Sequence, residues 1–240
     1  MDRRKFIKSA GLAGAASTAA FATPAISQGR EKLTMVTAWG RGLAGVFDAA
    51  LHLSESVKAM SDGALEIDVK ANGELVSGLG AVFDAVTSGQ ADMYHAADYY
   101  YVGQHPAFAY FTAVPFGMTP TELHNWYYHQ DGMKMHHELG EEFGLVSFLA
   151  GNTGPQAGGW FRKEIKSAAD FNGLKFRMPG LGGKALGKLG ASVQTLPGSE
   201  VYQALASGAI DGTEWIGPWA DEKAGFQEIT KIYYTSGFHE

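Results

Sequence analysis

The most restrictive feature of this 240-residue sequence is the alternation of strand and helix patterns that begins after residue 30. Short segments of alternating or β-branched apolar residues predict strands, and apolar residues spaced three and four apart predict helices. We predict strands at 33–38, 64–70, 91–96, 145–150, 159–161, 174–177 and 192–195, and helices at 44–60, 79–88, 121–143, 183–189 and 199–206. Strands separated by helices are typical of an α/β fold built from parallel βαβ units.

Two ten-residue segments within this pattern resemble each other. FDAVTSGQAD occupies Phe83–Asp92, YQALASGAID occupies Tyr202–Asp211, and the two share four identical positions. Each predicts a helix that ends at a glycine and turns into a strand. This is either a chance similarity between two helix-to-strand turns or the mark of two similar α/β lobes. We divide the chain into a first lobe at residues 28–150, which includes the long helix, and a second lobe at residues 151–240; a cleft between them is a natural ligand site.

The N-terminus carries the pattern of an export signal. Arg3 and Arg4 form a twin-arginine pair, and residues 9–26 are apolar, small and uncharged. We predict a twin-arginine signal peptide at residues 1–27, with cleavage before Gln28 and the protein delivered to the periplasm. The alternative is a membrane anchor, although a stretch rich in Ala, Gly, Ser and Thr makes a poor spanning helix.

Composition removes several classes of function. The chain contains no cysteine, which excludes a disulfide framework, a thiolate zinc site, an iron–sulfur cluster and a cysteine nucleophile. Its net charge of −6 argues against a nucleic-acid-binding protein, because such proteins show a basic stripe. A bound anion would therefore need local positive charge to overcome the acidic background.

Two motifs have competing interpretations. Gly180 and Gly182 follow a predicted strand and open a helix, which resembles a dinucleotide-binding turn, but Arg177 and Pro179 interrupt the junction. A glycine-rich turn that lies close to a ligand or a neighbouring strand is the preferred interpretation. Four histidines occupy the long predicted helix at spacings unsuited to zinc, so we expect them on a solvated face. They are His124, His129, His136 and His137.

Three short segments carry candidate binding residues. The loop at Gly151–Gly159 offers the neutral hydrogen-bonding side chains of Asn152 and Gln156. Arg177 ends an apolar strand, where its guanidinium could meet a carboxylate in a cleft or form an internal salt bridge with Glu214. Two tryptophans after Glu214 and the aromatic run after the predicted 91–96 strand could wall a pocket. These aromatic residues are Trp215, Trp219, Tyr99, Tyr100 and Tyr101.

Three blocks of sequence resemble one protein family. They are HAADYYYVGQHPAFAYFTAVPFG at His95–Gly117, PQAGGWFRKEIKSAADFNGLKFRMPGLGG at Pro155–Gly183 and LASGAIDGTEWIGPW at Leu205–Trp219. With them, the chain resembles the periplasmic solute-binding proteins of tripartite ATP-independent (TRAP) transporters, in the branch that binds 2-oxo and 2-hydroxy monocarboxylic acids. The resemblance implies two hinged α/β lobes that close on a ligand without catalysing a reaction. Members of the family continue beyond Glu240, which implies that the second lobe is incomplete here.

The resemblance also implies a set of site residues. Arg177 matches the arginine that holds the substrate carboxylate. Gln156, Glu214 and the backbone carbonyl of Trp215 match ligands of a metal cation, and Glu240 matches a further one. Additional contacts to the acid are implied for Gln156, Trp215, Asn152, Tyr100 and Trp39. Hard oxygen ligands suit sodium or calcium better than zinc.

The implied function is capture of a pyruvate- or lactate-like acid and its delivery to the permease subunits of a TRAP transporter. A homodimer is expected if the full C-terminal region is present. Two other classes remain open from the sequence: an exported oxidoreductase with a nucleotide cofactor, and a ligand sensor for a signalling partner.

Overall fold

A computed structural model describes residues 29–238. The predicted signal peptide and Glu240 lie outside these residues. The strands are β1 Glu31–Thr37, β2 Leu65–Lys70, β3 Met93–His95, β4 Gly159–Phe161, β5 Lys175–Arg177, β6 Ser192–Gln194, β7 Gly212–Thr213 and β8 Ile232–Tyr234. The α-helices are α1 Val46–Met60, α2 Leu79–Thr87, α3 Pro120–His129, α4 Gly132–Glu141, α5 Gly180–Lys188, α6 Gly198–Ser207, α7 Pro218–Lys223 and α8 Phe226–Ile229. Short 3-10 helices occupy Asp98–Tyr101, Pro106–Tyr110 and Ala168–Phe171.

The strands form two sheets. The first has the order β2-β1-β3 and is parallel throughout, as predicted. The second has the order β6-β5-β7-β4-β8, and β4 runs antiparallel to both of its neighbours. The prediction of parallel units is therefore wrong for β4. The loop before β4 lies beside the loop after β7, where the Ala157 N–H donates to the Ile216 carbonyl over 2.9 Å. This arrangement sets the start of one strand beside the end of the other, as antiparallel pairing requires.

The internal sequence repeat corresponds to a structural one. Gly89 follows α2 with φ of +77°, and Gly208 ends α6 with φ of +75°, a left-handed conformation that glycine adopts without steric cost. After α2 the chain enters β3, which lies parallel to β1, and after α6 it enters β7, which lies parallel to β5. The two sheets are built from residues 31–95 and 159–234, while the lobe boundary at residue 150 stays a prediction.

The predicted long helix at 121–143 is two helices. It is broken at Gln130, whose φ of −132° and ψ of −146° lie outside the helical region. Gly132 begins α4 directly against Trp126 and Tyr127, where an added Cβ would lie 2.7 Å and 2.8 Å from their atoms. The tight turn needs a residue without a side chain, and periodicity alone does not report such a packing constraint.

Residues 145–150 do not form a strand, although their pattern predicts one. Leu145 is buried and Val146 is exposed, so the apolar alternation is partly realised. Within residues 29–238 no strand pairs with this segment. A strand requires a hydrogen-bonding neighbour, which a single segment's pattern cannot supply.

The largest described core cluster joins both halves of the chain. Trp39 and Leu79 from the first half pack with Leu205, Ile210 and Trp215 from the second. Burying each such side chain contributes about 1.5–3 kcal/mol, so the contact between the two sheets is a substantial part of the folded stability. None of the helices in residues 29–238 combines the length and apolar character needed to cross a bilayer.

The glycines at the start of α5 are required by packing. Gly180 has φ of +65°, and a Cβ added there would lie 2.9 Å from Cβ of Tyr99, which belongs to the other half of the chain. A Cβ on Gly183 would collide with the backbone carbonyl of Met178. The backbone of this segment therefore lies very close to neighbouring residues, as the preferred interpretation of the sequence expected.

Candidate functional site

A cavity of about 670 Å³ is lined by residues from both halves of the chain. All the candidate site residues within the described part of the chain line it. They are Trp39, Tyr100, Asn152, Gln156, Arg177, Glu214 and Trp215. Arg177 is the only arginine or lysine among the described residues that line this cavity. A bound anion would therefore find its one permanent positive charge at that side chain.

Arg177 is held by three groups at the end of β5. Its Nη1 lies 3.1 Å and 3.2 Å from the two carboxylate oxygens of Glu214, and 3.3 Å from the Glu214 backbone carbonyl. Nε and Nη2 both donate to the Leu196 carbonyl over 3.3 Å. The guanidinium also lies 5.1 Å from the Trp215 ring centre, within range of a cation–π interaction.

The salt-bridge alternative for Arg177 is therefore what the structure shows. The side chains of Arg177 and Glu214 are only 1% and 2% exposed, so the arginine is not open to solvent as the cleft interpretation expected. The two interpretations are compatible, because both members of the pair line the cavity. The ion pair satisfies the guanidinium while it remains at the cavity wall.

Glu214 lies in surroundings that disfavour its negative charge. Burial raises its pKa to about 7, although Arg177 acts in the opposite direction, and nearby Asp221 raises it further. Burial also raises the pKa of Asp221 above its ordinary value. For Arg177, burial disfavours the charged form, but Glu214, Tyr100 and Tyr99 together raise its pKa. Glu214 is therefore a buried carboxyl group with one guanidinium partner and a second buried carboxyl group nearby.

Gln156 and Asn152 occupy the loop that precedes β4. Gln156 is 5% exposed, and its Nε2 donates to the Thr153 hydroxyl over 3.2 Å, so Oε1 lies on the other side of the amide. Asn152 is exposed, and its Oδ1 accepts the Gly154 N–H over 2.6 Å. This side-chain turn fixes the shape of the loop, and it occupies the side-chain oxygen of Asn152 with a backbone N–H.

Aromatic side chains also line the cavity, and Tyr100 lies within hydrogen-bonding reach of Arg177. Trp39 follows β1 and is 6% exposed, and its ring meets His95 edge-on with centres 4.9 Å apart. Tyr100 lies in the Asp98–Tyr101 3-10 helix and contacts Tyr99 edge-on at 4.8 Å. Burial lowers the pKa of His95 to about 4, so this histidine is neutral near pH 7 and adds no positive charge to the cavity.

One helix histidine departs from the expectation of a solvated face. His136 is 4% exposed, and its ring stacks on Phe111 with centres 4.4 Å apart. Its Nε2 lies 2.9 Å from the Asp98 carboxylate. Within residues 29–238 no group of three histidine or acidic side chains is placed to hold a metal ion among themselves. His136 lies in α4, after the break, and faces inward. The single helix predicted from the sequence does not account for this orientation.

The oxygen atoms at the cavity suit a hard cation. Glu214, Gln156 and Trp215 all line the cavity and carry a carboxylate, an amide oxygen and a backbone carbonyl. Burial raises the pKa of Glu214, and a cation beside it would favour its charged form. Sodium and calcium prefer this donor type. Glu240, the further ligand implied by the resemblance, lies outside the described residues.

Sequence reasoning missed several residues of this region. Asp221 lies behind Glu214, Leu196 supplies a backbone acceptor to Arg177, and His95 packs on Trp39. The sequence gives one weak indication of Asp221, because this acidic residue lies in the first turn of a helix that begins at Pro218. The Leu196 carbonyl has no signature in sequence, because any residue could provide it.

The model of the bacterial extracellular solute-binding protein family 7 matches residues 43–240. The chain belongs to this family. Family 7 consists of solute-binding proteins, so the expected class is confirmed and the oxidoreductase alternative is wrong. The monocarboxylate 2-oxoacid-binding periplasmic protein of Nostoc sp. is 40% identical over 246 residues, covering 100% of this chain and 67% of that protein.

Two solved family structures show the same α/β architecture. A TRAP periplasmic solute-binding protein from Pseudoalteromonas atlantica, with bound sodium and pyruvate, has 43% identity and a TM-score of 0.82. Its counterpart from Colwellia psychrerythraea, with bound calcium and pyruvate, has 42% identity and a TM-score of 0.82. Each comparison covers 88% of this chain and 64% of the solved chain. The predicted likeness to two-lobed TRAP binding proteins is confirmed.

Proposed function

We propose that this protein captures a small 2-oxo or 2-hydroxy monocarboxylate together with sodium or calcium and delivers it to a TRAP permease. The carrying observation is that Arg177 is the only lysine or arginine among the described cavity-lining residues. The family relatives with bound pyruvate support the class of ligand. Capture takes place in the periplasm, after export by the twin-arginine signal at residues 1–27. Dimerisation stays a prediction.

Arg177 binds the carboxylate in this proposal. Its Nε and one Nη2 hydrogen converge on the Leu196 carbonyl, so a carboxylate must approach the edge formed by Nη1 and Nη2 and share Nη1 with Glu214. Two parallel N–H donors on that edge match the two oxygens of an acid. The Trp215 ring and Leu196 keep the guanidinium in place while its bond to Glu214 is shared with the ligand.

Glu214, Gln156 and the Trp215 carbonyl hold the cation. When bound, the cation supplies positive charge to the keto or hydroxy oxygen of the acid. Glu214 would hold the ion as a carboxylate, releasing to solvent the proton that its raised pKa lets it carry near pH 7. Trp39 excludes water from the acid's apolar end, and Tyr100 adds a hydroxyl group beside Arg177.

Calorimetry with pyruvate, lactate, acetate and methyl pyruvate tests the proposal, each titrated with calcium, with sodium and with neither. We expect pyruvate or lactate to bind only when a cation is present. Methyl pyruvate lacks the carboxylate for Arg177, and acetate lacks the second oxygen for the cation, so both should bind weakly. Equal affinity for pyruvate and its ester would contradict the role of Arg177, and cation-independent binding would contradict the cation site.

Binding should also depend on pH through Glu214. Its pKa of about 7 means that it takes up a proton between about pH 8 and pH 6, and the proton competes with the cation. We expect the affinity for pyruvate at fixed calcium to fall by about tenfold over this range. Without a cation, the pH dependence of folding stability has the opposite sign, so the fold is more stable at the lower pH. Because the pKa is raised above 4.5, protonation of Glu214 stabilises the fold fully below that value, and this stability is lost as pH rises through about 7.

Titrations at several pH values check this expectation, with Glu214→Gln as the reference. Glutamine does not titrate, so the variant's residual affinity should be independent of pH across the same range. A wild-type affinity that stays constant from pH 8 to pH 6 would mean that Glu214 does not exchange a proton for the cation.

A further inference from the structure

We propose that Asp221 is a positioning residue of the cation site, which orients the Trp215 carbonyl by holding the next peptide N–H. The inference rests on the proposed function, because it concerns how that site is assembled. Asp221 does not line the cavity, and its side chain is fully buried behind the segment that carries Glu214 and Trp215.

Three hydrogen bonds satisfy the buried carboxylate of Asp221. Oδ1 accepts the Ile216 N–H over 3.0 Å and the Gly217 N–H over 2.9 Å. Oδ2 accepts the indole Nε1–H of Trp160 over 3.0 Å. Trp160 belongs to β4 and its ring is stacked on Tyr233 of β8. The carboxylate therefore ties the loop after β7 to the middle of the second sheet.

The orientation of the Trp215 carbonyl follows from peptide geometry. The carbonyl of Trp215 and the N–H of Ile216 belong to one planar peptide unit, and in a trans peptide the two groups point in opposite directions. Because Asp221 holds the N–H, the carbonyl must point away from Asp221. On the other side of the loop, the Ile216 carbonyl accepts the Ala157 N–H over 2.9 Å, which fixes the following peptide and brings the neighbour of Gln156 alongside.

The charge of Asp221 acts in the same direction. A carboxylate that accepts a peptide N–H polarises that peptide, which makes its carbonyl oxygen a better cation ligand. Asp221 also adds negative charge near Glu214, whose pKa it raises. Such outer contacts change metal affinity by about 10- to 100-fold when removed.

The test compares three variants of the full chain, all carrying Trp160→Phe so that no indole N–H is left facing the new side chain. They are Trp160→Phe alone, Trp160→Phe with Asp221→Asn, and Trp160→Phe with Asp221→Ala. Asparagine keeps an oxygen acceptor for both N–H groups and loses only the charge, whereas alanine loses both. We expect the dissociation constant for calcium alone to be about 10- to 100-fold higher with alanine than with asparagine. Equal values for these two variants would overturn the proposal.

A second readout reports the loop without any metal. Hydrogen exchange of the Ile216 and Gly217 amides in cation-free protein should stay slow with asparagine and become fast with alanine. Asp170→Asn is the matched control, because Asp170 accepts the Lys166 and Ser167 N–H groups in the same way but lies away from the cavity. We expect its calcium affinity to equal that of the wild type.

Two outcomes separate this inference from the proposed function. A wild-type chain that binds no calcium or sodium would overturn the cation site itself, whatever the amides do. If the alanine variant does not fold, the asparagine variant decides: an affinity within about 100-fold of that of Trp160→Phe alone supports the proposal, and a larger loss overturns it, because asparagine keeps both N–H groups bound.

Discussion

Replacing Arg177 by lysine is expected to weaken pyruvate binding by about 10- to 100-fold, and replacing it by alanine should cost about 2–5 kcal/mol of binding free energy. Lysine keeps the charge but offers a point ammonium, which cannot pair with two carboxylate oxygens or hold the Leu196 carbonyl at the same time. Calorimetry at saturating calcium measures both effects. Near-unchanged affinity in the alanine variant would remove Arg177 from the site.

The lysine variant is the sharper test, because alanine also leaves Glu214 buried without its partner. Breaking a buried ion pair costs about 3–5 kcal/mol of folding stability, so each titration needs a parallel urea unfolding curve. Arg162→Lys is the matched control. Arg162 is on the same half of the chain, donates to the Leu205 carbonyl and does not line the cavity. It should bind pyruvate as the wild type does.

Replacing Glu214 by glutamine is expected to abolish the stabilisation that calcium gives to the fold. A wild-type chain at a calcium concentration about 100 times its dissociation constant gains about 2.7 kcal/mol, whereas the variant should gain almost none. The reason is that glutamine keeps the shape of the side chain but loses the carboxylate. Urea unfolding at about pH 8, with and without calcium, measures the difference.

Without calcium at about pH 8, the same variant should be at least as stable as the wild type, because the raised pKa of Glu214 indicates that the fold favours a neutral side chain at this position. Glu228→Gln provides the control, since Glu228 is exposed, accepts the Tyr202 hydroxyl and lies away from the cavity. It should respond to calcium as the wild type does. An undiminished calcium response in the Glu214 variant would place the cation elsewhere.

The sequence predicted local elements well where short-range chemistry decides them. Gly89 and Gly208 were recognisable as helix ends because only a left-handed conformation allows the chain to turn there into the next strand. The pattern failed where a distant partner decides. The antiparallel direction of β4 and the unpaired segment at 145–150 depend on residues far along the chain, and the break before Gly132 depends on how closely the turn packs against Trp126 and Tyr127.

The candidate site shows the same division. Arg177, Gln156, Glu214 and Trp215 lie in segments that the sequence singles out, since charged and amide side chains next to glycine-rich turns are conspicuous, and their roles were implied by the family resemblance. The sequence did not decide the contacts between these residues. The Arg177–Glu214 pair was one of two open interpretations, and its near-complete burial could not be read from either motif alone.

The amino-acid sequence by itself determined those helices and strands that depend on local patterns, the absence of cysteine chemistry and the residue types available to an acid and a cation. Those properties depend on neighbours within a few positions, where periodicity and turn chemistry act. Only the tertiary structure decided that one arginine faces the cavity with a buried carboxylate against it, and that Asp221 holds the loop behind them. Burial and hydrogen bonding between distant segments set the charge of these side chains and the direction in which they point, because they arise only when the two halves of the chain pack together.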